Sequence, residues 1–410
     1  MEALSASNIF SRALKKHECT LPRPLLPEPT DHIAGSYDFY HLNVIISGIF
    51  ALLAIFITIG LIVRHATHIS KPRQQLQIIR ICTFVPLFAI GLWVSIYLPR
   101  AYVYIDASIF IIEPIAVTCF YFFVCEIASL HISPGGNPSF RDVFLAPLIA
   151  AAHRCGNQRI DQSPDMSILK FKRLNWLVLQ GIPASLLIGI LMIITEAKGI
   201  FCLTAHDAQH AHLYLLAFKG IVTGALLIAV VRTTVPLKGE LRAQNAKALT
   251  KLAVFKLLIF LQVTQSAAFG ILASVNPPSV RNSTTLSEAD WLIGIPGLLT
   301  EIELVLFAIF FHYAYGVSLY TLTDEKRAAG EEYVSYGWGI IPKIFIIPEL
   351  PAFWKFVKNI LREIEAYQAE HPESASVPQQ PKLPSETSST KAAEKKSIAD
   401  SQQSLNENER

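Results

Sequence analysis

The chain has 410 residues, of which 52% are hydrophobic and 16% charged, with a formal net charge of +3. Soluble domains carry roughly 25% charged residues, so this balance points to lipid, and so small a net charge gives no footing for nucleic acid. The six cysteines (Cys19, Cys82, Cys119, Cys125, Cys155 and Cys202) form no Cys-x-x-Cys pair and no zinc-spaced cluster with histidine, so no metal site is expected.

Residues 1–30 lack the continuous apolar core of a cleavable signal peptide, and the first membrane span is expected to act as the targeting signal. A helix needs about 20 mostly apolar residues to cross the hydrocarbon core. By that measure seven spans are expected: Asn43–Val63, Ile78–Leu98, Ile105–Leu130, Leu174–Ile194, Leu213–Val231, Leu252–Val275 and Trp291–Val317. Pro86 in the second and Pro114 in the third are tolerable inside a packed bundle. The expected fold is an all-α, seven-helix membrane bundle.

Lysine and arginine set the expected orientation. The loops after the first, third and fifth spans hold fourteen basic residues, from Arg64 to Lys251, whereas the other three hold only Arg100, Lys198 and Arg281. The positive-inside rule then puts the N-terminus outside or in a lumen and the C-terminal tail in the cytosol. On that map Asn282, in Asn-Ser-Thr, is a glycosylation candidate in an outer loop, while Asn137-Pro-Ser is spoiled by its proline. Cys19 and Cys202 are the two cysteines on the outer side, where a disulfide is chemically possible; two unpaired thiols are the alternative.

The loop from His131 to Arg173 opens on turn residues and then shows a short apolar run, Val143 to Ala152, expected to be an interfacial helix. Cys155 at its end is either a palmitoylation site or a free thiol. The domain organisation that follows is an extracytosolic segment 1–42, a membrane domain 43–317, a cytosolic juxtamembrane segment 318–368 and a disordered tail 369–410. Within the third of these, Trp338–Leu350 is apolar but too broken by prolines to span. Beyond it Phe353, Val357, Ile360, Ile364 and Tyr367 share one helical face. That helix is expected to lie on the cytosolic leaflet, with a partner protein as the other occupant of its face. Two aromatic-x-x-aliphatic motifs occur here, Trp338 to Ile341 and Trp354 to Val357. Such motifs bind autophagy-related ubiquitin-like modifiers; ordinary amphipathic packing produces them too.

Charged side chains deep in a membrane are costly and mark functional candidates. Here they are Glu113 and Glu126 in the third span, Lys219 in the fifth, Lys256 in the sixth, and Glu301 and Glu303 in the seventh, with Arg80 and His312 nearer the cytosolic ends. Depth pairs Glu113 with Lys219, and Asp106 shares a face with Glu113. Gln262 and Gln265 give the sixth span a polar face. These groups either glue helices together or line a pathway for a solute or proton.

Four stretches carry a family resemblance. They are Pro72, Gln75, Arg80 and Pro86 entering the second span; Ile112-Glu113-Pro114 in the third; Lys251-x4-Lys256-x3-Phe260-x4-Gln265; and Ile302-Glu303-Leu304 followed by His312-Tyr-Ala-Tyr315. In that order, from His41 to Tyr320, they resemble the organic solute transporter alpha-subunit family, which takes in the transmembrane protein 184 group. The resemblance implies seven helices with the N-terminus outside. It also implies a single-span beta-type subunit as partner, as animal members have for carrying bile acids and steroid conjugates by facilitated diffusion; a homodimer is the other arrangement. Other branches work in lysosomal or vacuolar membranes. Animal alpha subunits carry adjacent cysteines in the third-span region where this chain has only Cys119 and Cys125, so bile-acid-type transport is not assumed; a fungal-type vacuolar or endosomal member is expected, ahead of the plasma membrane.

The function expected is movement of an amphipathic organic solute, facilitated or ion-coupled, with Arg80, Lys219 and Lys256 offsetting an anion and Phe120, Tyr121 and Phe122 beside its apolar body. No cofactor is expected. The alternative is a membrane scaffold whose tail recruits a cytosolic partner. A seven-span receptor is disfavoured because the usual receptor motifs are replaced by Cys125-Glu-Ile-Ala and Phe311-His-Tyr-Ala-Tyr. No catalytic constellation or phosphate loop points to an enzyme.

Overall fold

A computed structural model describes residues 31–33, 35–132, 143–144, 164–203, 210–235, 237, 241, 248–275, 284–287, 289–322, 324, 330 and 332–370, with some side chains excepted, those of Lys256, Gln262 and Trp338 among them. Cys19, Asn282, Cys155, most of the expected interfacial helix and the tail beyond 370 therefore lie outside the described residues. The packing below belongs to the unit Met1–Val357; Lys358–Arg410 is a second unit.

Among the described residues the chain is helical. Helix α1 (Phe39–Thr67) begins at Asp38, whose carboxylate accepts the free backbone N–H of His41 at 3.0 Å. It ends with Arg64 and His65 in its last turn, where cations suit the helix dipole. The turn into α2 (Pro72–Tyr97) is closed by one side chain. The Gln75 carbonyl oxygen accepts the N–H groups of Ser70 and Lys71 at 2.8 and 2.9 Å, and its amide donates to the His68 carbonyl at 2.7 Å. Pro72 opens α2 at a position with no N–H to lose.

A 3-10 turn at Pro99–Ala101 leads to α3 (Tyr102–Ile132), followed by α4 (Pro164–Ala197), α5 (Ala211–Thr234) and α6 (Ala248–Val275). Helices α2, α3 and α4 continue through Pro86, Pro114 and Pro183. A reciprocal cap starts the next element: Asp290 accepts from the N–H and hydroxyl of Ser287, and its own N–H donates to the Ser287 hydroxyl. A π-helical turn (Asp290–Gly294) then runs into α7 (Ile295–Ala314). Two further helices follow, the short α8 (Ile340–Phe345) and α9 (Glu349–Glu370).

Among the described residues six helical stretches are long and apolar enough to cross a membrane: Phe39–Thr67, Pro72–Tyr97, Pro99–Ser129, Arg173–Ala197, Ala211–Thr234 and Asp290–Tyr320. The remaining expected span coincides with α6, a 28-residue helix.

Consecutive helices from α1 to α5 pack side by side, α7 returns to pack on α1 and α2, and α6 leans on α7. Helices α2 and α3 are the most deeply buried of the six stretches, and α1 and α5 the least. Close approach at the centre depends on Gly91, where a Cβ would stand 2.6 Å from the Ile109 side chain. Large apolar side chains such as Phe56, Phe218, Ile221 and Leu306 face outward, which water would oppose and lipid tolerates.

Candidate functional site

The half-buried ion pair in the bundle joins α5 to the first turns of α3. Lys219 Nζ donates to both carboxylate oxygens of Asp106 at 3.0 Å, and each side chain keeps a quarter of its surface exposed. The ammonium also lies 5.0 Å from the centre of the Phe110 ring, one helical turn along α3. This corrects the expected partner. Glu113 is buried with its Oε1 unpartnered, and Asp106 takes the lysine because a long side chain turns its ammonium toward the nearer membrane surface.

Polar groups also link α6 and α7. The Gln265 amide donates to the Glu303 carboxylate, and the Thr300 hydroxyl donates to Gln265 Oε1 at 3.0 Å. Glu301, two residues from Glu303 and on another face, is fully buried, and neither of its oxygens has a hydrogen-bond partner. Asn43 of α1, packed where α7 begins, is likewise buried with both amide atoms unpartnered. His312 takes a different role from a pathway residue: its ring nitrogen meets the Ile57 carbonyl of α1 at 2.7 Å. His65 does the same with the Tyr315 carbonyl at 2.6 Å.

Arg80 leaves the set of anion-binding candidates. Its guanidinium is engaged by the segment after α7, with Nε and Nη2 donating to the Lys343 carbonyl at 3.2 and 2.9 Å, Nη2 to the Ile346 carbonyl at 2.9 Å, and Nη1 to Glu349 at 3.0 Å. Glu126, the other deep acid of α3, has Arg73 at 3.9 Å. Lys251 at the start of α6 is buried, its ammonium 4.5 Å from the Phe123 ring and 5.4 Å from that of Tyr315.

The first turns of the juxtamembrane helix pack on the chain itself, while the side chains of Ile360, Ile364 and Tyr367 on the same face lie outside the described ones. Phe353, Phe356 and Val357 of α9 are buried, with Phe353 meeting Tyr121, Phe122 and Phe144 at ring separations of 5.6, 5.4 and 5.0 Å. The aromatics expected beside a solute's apolar body are thus filled by the chain itself. The Trp354 to Val357 motif is split by the same docking. Trp354 is 52% exposed and lies against Trp176, while Val357 is 4% exposed, so one motif cannot present both side chains.

Cys202 is disulfide-bonded, with a left-handed backbone φ of +47°, and the cysteine expected to pair with it, Cys19, is outside the described residues. Cys82, Cys119 and Cys125 are free and buried. Asp106 and Glu349 escaped selection as pairing residues in the sequence. A signal for Glu349 existed, since it is the acid in the otherwise apolar run Trp338–Leu350. No group of side chains among the described residues has the makings of a metal site.

The sequence profile of the family described as organic solute transporter Ostalpha matches residues 43–320. A transmembrane protein 184 homologue of Dictyostelium discoideum is 33% identical over 85 residues, a stretch covering 20% of this chain and 17% of that relative. No solved structure matches the chain.

Proposed function

The chain belongs to the organic solute transporter Ostalpha family, and on that premise we propose that it carries an amphipathic organic anion across a membrane. The observation that carries this reading is the Lys219–Asp106 pair. A fully buried pair would be glue, but this one keeps a quarter of each side chain exposed beside the Phe110 ring. A solute anion can displace Asp106 from the ammonium while the solute's apolar body rests against aromatic and aliphatic side chains. Exchange of one carboxylate for another keeps the lysine compensated throughout, so its desolvation is never faced alone.

The proposal includes α6 as a seventh span, the N-terminus outside and the tail in the cytosol, supported by the alternation of basic loops. It places the protein in a vacuolar or endosomal membrane, supported by the departure from the third-span cysteine cluster of animal members. Transport runs down a gradient or is ion-coupled, and Glu303 and Gln265 offer further polar groups between α6 and α7. A beta-type subunit or a second copy completes the assembly.

Uptake of a labelled panel of sulfated and carboxylated amphiphiles into proteoliposomes tests the reading. Flux that saturates and is lost in Lys219→Met is the expected result. Absence of flux across the panel sinks it, and would leave the scaffold alternative, to be tested by the phenotype of a chain cut after Glu370.

A further inference from the structure

The segment after α7 folds back onto the bundle and attaches to it at two points of different character. The first is polar. The four hydrogen bonds of Arg80 take carbonyls at the end of α8 and the carboxylate in the first turn of α9, so one guanidinium pins the corner between two helices. Both ends suit it, because a helix C-terminus attracts a cation and an acid is at home in a first turn. The second is aromatic: Phe353, one turn beyond Glu349, inserts among Tyr121, Phe122 and Phe144.

At the polar point the segment is only partly covered. Ile341, Phe345 and Ile346 are 47%, 64% and 65% exposed, so α8 meets the bundle through a backbone carbonyl and the half-buried Ile340 and Ile344, with its other large apolar side chains turned away.

We propose that residues 340–357 are a releasable clasp, with Arg80 as its catch, that shuts the α2–α3 centre of the bundle at the end bearing the α1–α2 turn and opens during the transport cycle. Its gating role rests on the transporter reading above; its releasability does not. The clasp holds while Glu349 faces Arg80 and loosens when that pair is broken, leaving the Lys343 and Ile346 carbonyls on Arg80 and the buried Phe353, Phe356 and Val357 to retain the segment.

Hydrogen exchange on the full chain in lipid nanodiscs, paired with proteoliposome uptake of the same labelled amphiphiles, tests both parts. In Glu349→Gln, amides of 340–357 are expected to exchange about tenfold faster, the effect of weakening one charge-assisted hydrogen bond. Those of 72–132 keep their protection, and uptake rises. Should that variant fail to accumulate, Glu349→Asp, which keeps the charge and shortens its reach, is read the same way. Equal loosening of 340–357 and 72–132 overturns the clasp and makes the segment ordinary core. Local release with unchanged uptake overturns the gate. Absence of uptake in every chain removes the transporter reading and the gate with it, while the exchange pattern still decides whether the clasp releases.

Discussion

Lys219 has two carboxylates on one face of α3 within its reach of choice, and depth decides between them. Asp106 stands in the second turn of that helix and Glu113 seven residues further in, about 10 Å along the axis. The ammonium takes the shallower acid, where some water remains. A double-mutant cycle on thermal stability should give a coupling of about 1 kcal/mol between Lys219 and Asp106, and a smaller one between Lys219 and Glu113. Glu301 makes the opposite case. Its oxygens are enclosed without partners, so Glu301→Leu should leave the fold intact or stabilise it by up to about 2 kcal/mol. If the carboxyl serves the solute pathway, the same change lowers uptake; a thermal melt beside a flux measurement separates the two effects.

At the scale of elements, α9 shows what an amphipathic face does when a protein groove competes with lipid. Phe353 and its neighbours find aromatic partners within the chain. Phe353→Ala is expected to lower stability by about 3 kcal/mol, the usual cost of a large buried truncation, whereas Trp354→Ala should cost well under 1 kcal/mol as an exposed change; differential scanning fluorimetry in one detergent compares them. The membrane helices were legible because 20 apolar residues in a row admit few other readings, and caps such as Asp38 and Pro72 mark their starts. The docking of α9 was not. Helical periodicity in Phe353 and Val357 reports that a face is apolar, not what covers it, and the groove is assembled from Tyr121, Phe122 and Phe144, more than 200 residues upstream. The Lys219 pairing failed for a related reason: sequence gives depth to within a turn or two, and Asp106 and Glu113 differ by two.

For the whole molecule, the docked segment redraws where the membrane domain ends. The family match stops at residue 320, yet Arg80 needs Lys343, Ile346 and Glu349. A chain cut after Glu370 is expected to express and melt like the full length, while one cut after Tyr320 strips Arg80 of its partners and empties the place of Phe353, and loses about 3 kcal/mol or more. Fluorescence-detected size exclusion of the two truncations checks this. A tail-deletion phenotype after Tyr320 would thus report loss of the docked segment as well as loss of a recruiting motif.

The same contact imposes an order of events during synthesis. Arg80 and Glu349 are 269 positions apart, so α2 is made long before its counter-charge exists. At about 5–20 residues per second the interval is on the order of tens of seconds. Throughout it the nascent chain carries an arginine at the edge of the bilayer that only water, a lipid phosphate or the insertion machinery can satisfy. Among the described helices, α2 is thus the second to be made and one of the last to have its polar groups satisfied.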